Sequence, residues 1–255
     1  TAIGFNSLGA NTANNNTAVG IHTLAVNTSG TDNNSFGRDS LKANTTGSNN
    51  VAVGSLALTA NTTGTQNTAV GSAALDANTT GLRNTGIGAD SITNNTTGES
   101  NVAVGRDAMF HNSTGSNNTA VGTDALQNNS TADNNTAVGT NALLSNTTGS
   151  NNTASGTFAL YSNTTGSQNT ALGFDALAEN TTGIYNTASG YRTLRYNTTG
   201  QYNSAMGFSA LYTNVSGDRN SASGSYALYA NTTGQYNTAL GYQAGDVITT
   251  GSNNV

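Results

Sequence analysis

The sequence predicts an all-β parallel β-solenoid, a β-roll in which one 17-residue repeat makes one coil and about fifteen coils follow one another. Three observations carry this expectation. A glycine returns at a fixed interval, the residues between successive glycines are poor helix formers, and every ionised side chain falls in a minority of the repeat positions. Composition narrows the field further. Of 255 residues only 7 % are charged, and Asn (41) and Thr (44) supply a third of the chain. There is no Pro, Cys or Trp. Lack of cysteine excludes a disulfide scaffold, a zinc ribbon and a thiol nucleophile. A net charge of −5 argues against a grip on nucleic-acid phosphates. No apolar run approaches the roughly 20 residues of a membrane span.

The repeat is read from its glycine. Triplets such as Ala-Val-Gly end at Gly4, Gly20, Gly37, Gly54 and so on to Gly241, and after a first interval of 16 every spacing is 17. With that glycine as slot 1, the consensus is Gly-x-x-Ala-Leu-x-x-Asn-Thr-Thr-Gly-x-x-Asn-Thr-Ala-Val. Slot 14 is Asn in every unit. Slot 8 is Asn in fourteen of fifteen, failing at Ile248, and slot 5 is apolar in fourteen of fifteen, failing at Gly245. All nineteen ionised side chains lie in slots 2, 3, 6, 7, 12 and 13. Burying an unpaired charge is costly, so this segregation predicts the slots that face water.

A unit this short cannot hold a helix pair or a propeller blade, which need roughly 34 and 40 residues. Its Gly, Asn and Thr also disfavour helix interiors. Each coil is therefore expected to contain two short strands. Slots 14–17 (Asn67-Thr68-Ala69-Val70) form one and slots 3–6 (Ala73-Ala74-Leu75-Asp76) the other. Glycine at slot 1 and Asn-Thr-Thr-Gly at slots 8–11 turn the corners. With coils spaced at roughly 4.8 Å, fifteen of them would rise roughly 70 Å. The interior is expected to hold slot 17 (Val19, Phe36, Val53, Val70, Ile87 and Val104) and slot 5, with alanine at slots 4 and 16.

Stacking places like on like. The slot 14 column comprises Asn16, Asn33, Asn50, Asn67, Asn84, Asn101, Asn118, Asn135, Asn152, Asn169, Asn186, Asn203, Asn220 and Asn237. It reads as a structural ladder of side-chain amides. The apolar core is thin. Two or three buried side chains per coil, at roughly 1.5–3 kcal/mol each, oppose about 1–2 kcal/mol of ordering per residue. Moreover both members of each adjacent pair (Ala69-Val70, Ala74-Leu75) are apolar, so one face fills the coil and the other calls for a partner. Self-association about a shared axis, as a homotrimer, is the expectation. Residues 1–255 read as a single continuous array cut in mid-repeat at both ends, part of a longer fibre or stacked end to end as a filament. Late in the chain slot 17 alternates, with Ser155, Ser189 and Ser223 between Leu172, Met206 and Leu240, a beat of 34 residues that Phe174 and Phe208 share in slot 2. Large and small side chains in alternation can interlock without voids.

Few residues suggest chemistry. His22 and His111 sit in water-facing slots, and no Ser-His-Asp set can be assembled. Asp90, Asp107 and Asp124 occupy slot 3 of consecutive units and form a weak candidate for a cation such as Ca²⁺. Outward rotamers on a screened surface explain them more simply, so no metal or cofactor is expected. Thirteen Asn-x-Ser/Thr sequons fall at slot 8, among them Asn27, Asn44, Asn61 and Asn231, where turn chemistry accounts for them without a glycan. All ten tyrosines follow residue 160 in water-facing slots. Tyr185, Tyr202, Tyr212, Tyr229 and Tyr236 are the candidate contact surface, since exposed tyrosine offers contact area at low entropic cost.

The Asn-Thr-Ala-Val-Gly strand resembles the head repeats of trimeric autotransporter adhesins, whose Asn-Ser-Val-Ala-Ile-Gly-type units are shorter. The fuller pattern, Asn-Thr-Ala-Val-Gly-x-x-Ala-Leu-x-x-Asn-Thr-Thr-Gly, is similar to arrays in bacterial and phage fibre proteins that often precede an endosialidase-type intramolecular chaperone. Gly241-Tyr242-Gln243-Ala244-Gly245 and Ile248 to Val255 look like the next variant of such an array. The resemblance covers the whole chain and implies a left-handed trimeric β-roll; the longer unit requires a longer turn. It also implies an extracellular, cell-surface or virion-fibre module, structural rather than enzymatic, that binds itself and offers a surface to a host-surface glycan or protein, with no nucleic acid and no membrane insertion. Two rivals come from the residues. An ice-binding solenoid would use the slot 15 threonines, and a glycan-binding or glycan-cleaving tailspike-like solenoid would need two carboxylates in a groove.

Overall fold

Each repeat folds as one short strand, of three residues in all but the first, followed by a run of turns. The computed structural model describes residues 1–255, and the chain divides into two compact units, Thr1–Thr131 and Ala132–Val255. The first unit holds β1 (Ala2–Ile3), β2 (Thr17–Val19), β3 (Asn34–Phe36), β4 (Val51–Val53), β5 (Thr68–Val70), β6 (Thr85–Ile87), β7 (Val102–Val104) and β8 (Thr119–Val121). The second holds β9 (Thr136–Val138), β10 (Thr153–Ser155), β11 (Thr170–Leu172), β12 (Thr187–Ser189), β13 (Ser204–Met206), β14 (Ser221–Ser223) and β15 (Thr238–Leu240). There is no helix. Within each unit every strand pairs in parallel with its chain neighbour, one repeat away. In the first, Thr68, Ala69 and Val70 lie beside Thr85, Gly86 and Ile87. In the second, Thr170, Ala171 and Leu172 lie beside Thr187, Ala188 and Ser189. Both units are parallel β-solenoids with one repeat per coil.

The second strand expected at slots 3–6 does not form. Residues at slots 3 and 5 take left-handed backbone angles instead, with φ of +52° at Ala73 and +54° at Leu75. The N–H groups then alternate between their own coil and the next. Ala74 donates to Gly71 (3.4 Å) and Asp76 to Ala73 (3.3 Å), whereas Leu75 donates to Ser91 (2.9 Å) and Ala77 to Thr93 (2.9 Å). The cause lies in the Ala-Leu pair. An extended strand would send neighbours to opposite faces, yet Ala74 and Leu75 are both fully buried. A left-handed leucine costs roughly 1–2 kcal/mol, and burying its side chain returns roughly 1.5–3 kcal/mol.

A second expectation is also overturned: slot 17 points outward. In each three-residue strand the middle residue turns in, so Ala69, Ala103 and Ala120 are buried, while Val70, Val104 and Val121 are 36–37 % exposed. The leucine of slot 5 fills the space opposite. A Cβ placed on Gly86, in slot 16, would lie 3.4 Å from the Leu75 Cγ, in van der Waals contact with it. Local exchanges keep the fit. Gly86 faces Ser91, whose Oγ would be 2.9 Å from an added Cβ, and Ser35 hydrogen-bonds to Ser40.

Asparagine supplies the rest of the interior. At slot 14, the Asn67 N–H donates to Asn50 Oδ1 (2.9 Å), its Nδ2 donates to the Gly81 carbonyl (2.8 Å), and its Oδ1 accepts from the Asn84 N–H (2.9 Å). The expected ladder is present, though backbone amides carry it as much as side-chain amides. Slot 8, expected only to turn a corner, is a second ladder. Asn61 Nδ2 donates to Asn44 Oδ1 (2.8 Å) and to the Gly64 carbonyl (3.0 Å). Both columns end on slot 11, where the Gly81 carbonyl accepts from Asn67 and Asn78 together. That crowding fixes the residue type, because a Cβ on Gly64 would sit 2.4 Å from Asn61 Oδ1 and 2.5 Å from the Gly81 oxygen.

The repeat containing Gly245 swaps its interior. Glycine takes the slot of leucine and Ile248 the slot of asparagine, and the Ile248 Cδ1 lies 3.1 Å from where a Gly245 Cβ would be. The apolar volume moves three positions along the chain. The polar column pays for it: Asn231 Oδ1 is buried without a partner, since Ile248 offers no amide to donate.

Candidate functional site

The outward side of the sheet is built from slots 15 and 17, because the pleat sends slot 16 in. In the first unit slot 17 presents Phe36, Val53, Val70, Ile87, Val104 and Val121, each 36–41 % exposed. In the second unit the same slot presents Val138, Leu172, Met206 and Leu240, exposed by 40, 41, 61 and 81 %, with Ser155, Ser189 and Ser223 between them. Each unit thus carries an uncharged, largely apolar column along its strands. Sequence reasoning placed these residues inside the coil and expected the other face of each apolar pair to be the one that meets a partner. Slot 15 also faces out, as an ice-binding surface would require, but its threonines are interrupted by Asn34, Val51 and Val102 in the first unit and by Ser204 and Ser221 in the second.

Aromatic columns form a second surface, confined to the second unit. The five tyrosines proposed from sequence separate into two columns. In slot 13, Tyr185 stacks on Tyr202 (centroids 4.9 Å apart, planes 8° apart), and Arg219 lies 5.2 Å from Tyr202 and 5.4 Å from Tyr236. In slot 6, Tyr212 stacks on Tyr229 (5.1 Å, 2°). A third column, missed as such in the sequence, runs through slot 2: Tyr191 stacks on Phe174 at 5.4 Å and on Phe208 at 5.1 Å. Its signal was available in the 34-residue beat of Phe174 and Phe208, with Tyr191 midway. Stacking covers ring faces with one another, so the rows offer edges and hydroxyls outward rather than open faces.

Six of the seven Lys and Arg side chains pair with carboxylates. Asp39 and Asp175, in a slot expected to face water, are buried by their neighbours. Asp39 is paired with Lys42 (3.1 Å), Arg38 (3.3 Å) and His22 (3.3 Å). Burial pushes its carboxyl up, but those partners more than offset this and hold it below the usual carboxylate range. Burial pushes the Asp76 carboxyl up; a hydrogen bond from Thr59 offsets part of this and the Asp90 charge adds to it. A surface groove of about 290 Å³ in the second unit has walls of Phe158, Tyr161 and Phe174 and includes Asp175, Glu179 and Arg195. Its Asp175 lies 3.1 Å from Arg195 and 3.4 Å from Arg192. Of the candidate cation column, Asp107 pairs with Arg106 at 2.7 Å and Asp124 approaches the same guanidinium at 3.9 Å. Asp90, Asp107 and Asp124 do not come together as a metal-holding group. His111 lies against Phe110 and near Asn94 Nδ2 (3.2 Å).

The sequon asparagines are buried: Asn27, Asn44, Asn61 and Asn231 have no exposed surface. Each Nδ2, the atom a glycan would occupy, already donates two hydrogen bonds. The folded coil leaves that nitrogen inaccessible. Comparison with family models, with curated proteins and with solved structures gives no match for this chain.

Proposed function

We propose that this chain is a structural, non-enzymatic module of an extracellular fibre, self-assembling as a homo-oligomer and serving as a spacer or adhesive surface. The observation that carries this reading is the slot 17 column. Valine, isoleucine and phenylalanine recur on the outward face of each coil of the first unit, where nothing in the fold requires them. Such a row is more apolar than solubility favours, and contiguous apolar surface of this kind marks interaction sites. The interior supports the same reading from the other side. In most coils it holds one leucine and two alanines besides its asparagines, so covering the outer column adds appreciably to a modest apolar core. The aromatic rows of the second unit are the surface best suited to a further contact, with a glycan or protein of a host surface, because tyrosine edges and hydroxyls combine apolar area with hydrogen bonding.

The experiment is the solution mass of the purified chain by light scattering, compared with its 25.6 kDa protomer. Three protomers per particle is the expected result, with Val104→Asp, a charge placed in the column, lowering the mass towards one protomer. A stable particle of one protomer would refute the reading.

A further inference from the structure

The slot 17 column differs between the two units in a way that bears on how copies would align. In the first unit it is apolar at every level, and over its later coils nearly constant in size, so sliding one copy by one coil places Val53 where Val70 was, and Val104 where Val121 was. Register is then only weakly specified there, as in any repetitive surface. In the second unit large and small residues alternate: Val138, Ser155, Leu172, Ser189, Met206, Ser223 and Leu240. A one-coil slip there sets each serine against leucine, methionine or valine. It buries hydroxyls without partners, which is unfavourable, and drives large side chains against large ones no longer.

We propose that the alternating column of the second unit is a register key between parallel copies of this chain, holding each coil level with its counterpart. This rests on the self-association reading above and specifies its geometry. The occupant is a second copy for two reasons. Only a stack with the same advance per coil stays in step with a column along its length, which a strand or helix of other pitch does not. And slots 15–17 carry no ionised side chain in any repeat, so copies of a chain with net charge −5 can approach there without like-charge repulsion. A closed ring of parallel copies has no translation along its axis, so like levels meet. Leucine then packs on leucine and methionine on methionine, while serine hydroxyls meet serine hydroxyls and pair. A single polar position of this sort is a known way to fix alignment between identical elements.

The chain contains no cysteine, which makes the test clean. Two single variants, Ser189→Cys and Met206→Cys, replace exposed or half-exposed residues of neighbouring coils. They are made with tags of different mass, mixed, co-assembled from denaturant and oxidised with copper–phenanthroline. The expected result is disulfide between like variants in at least tenfold excess over the mixed product, with the excess lost when Ser155→Val and Ser223→Val are added to both chains. Mixed disulfide equal to or above the like products, in an oligomer of normal mass, would overturn the register key while leaving self-association intact. An oligomer in which neither cysteine forms a disulfide would place the seam elsewhere. A particle of one protomer would overturn this inference and the proposed function together.

Discussion

Gly71→Ala is expected to lower stability by about 3–5 kcal/mol, combining backbone strain with a clash that neighbouring coils cannot avoid. Gly71 has φ of +142°, a region that side-chain-bearing residues rarely enter, and an added Cβ would lie 2.4 Å from the Gly88 oxygen and 2.6 Å from its carbonyl carbon. Both atoms are backbone of the next coil, so relief requires the coils to part. Parting them strains the Gly88 N–H bond to the Val70 carbonyl, 2.8 Å, which joins the same two coils. The measurement is the guanidinium unfolding midpoint. Gly86→Ala with Ser91→Ala is the comparison, because it restores the alanine pair that neighbouring coils carry in slots 16 and 4. That double variant should lie within about 1 kcal/mol of the parent, as volume-conserving core exchanges do. Equal effects from the two would mean that glycine at slot 1 is not held by close coil contact.

Asn67→Ala is expected to lower stability by about 2–4 kcal/mol, again read from the unfolding midpoint. The loss has two parts. Its Nδ2 bond to the Gly81 carbonyl disappears, though that oxygen keeps Asn78. The Asn84 N–H loses its acceptor, Asn67 Oδ1, inside the coil where water cannot replace it. The second part dominates, since an unsatisfied buried donor is penalised more than a lost hydrogen bond. Asn67→Asp keeps the acceptor and loses the donor while bringing a carboxylate to a fully buried site. Burial raises the folded-state pKa of that carboxyl above its unfolded value. Stability is then retained below the unfolded pKa and lost as pH rises, so this variant should be worse at pH 7 than at pH 4. A pH-independent loss would argue that the column is open to water.

How much of this was legible in the sequence differs from slot to slot. The period, the parallel pairing and the slot 14 ladder followed from recurrence, because stacking identical coils makes position in the repeat equivalent to position in space. The direction of slot 17 did not follow. Ala69 and Val70 are both apolar, and the larger was assigned to the interior on hydrophobicity alone. What decides the matter is the slot 5 leucine, as at Leu75, whose Cγ lies 3.4 Å from a Cβ placed on Gly86 in the inward slot 16, and its side chain arrives there through a left-handed backbone that no propensity scale would assign to leucine. The same conformation hid the turns at slots 3–6. Slot 8 was obscured by its composition: Asn-Thr-Thr-Gly is good turn chemistry, and nothing in it distinguishes a turn with an exposed amide from one whose amide points inward. Of the candidate contact residues, Tyr212 and Tyr229 proved to be one column and Tyr185, Tyr202 and Tyr236 another, a division already present in their slot numbers.

The claim on which the fold account rests is that two files of asparagine side chains lie inside the coils and bond from each to the next. The most direct measurement is hydrogen exchange of the asparagine Nδ2 protons by nuclear magnetic resonance. Asparagines of slots 8 and 14, such as Asn61 and Asn67, are predicted to exchange only as fast as the surrounding coils open, far more slowly than the exposed Asn117 and Asn151. Exchange of all four at the same rapid rate would contradict it.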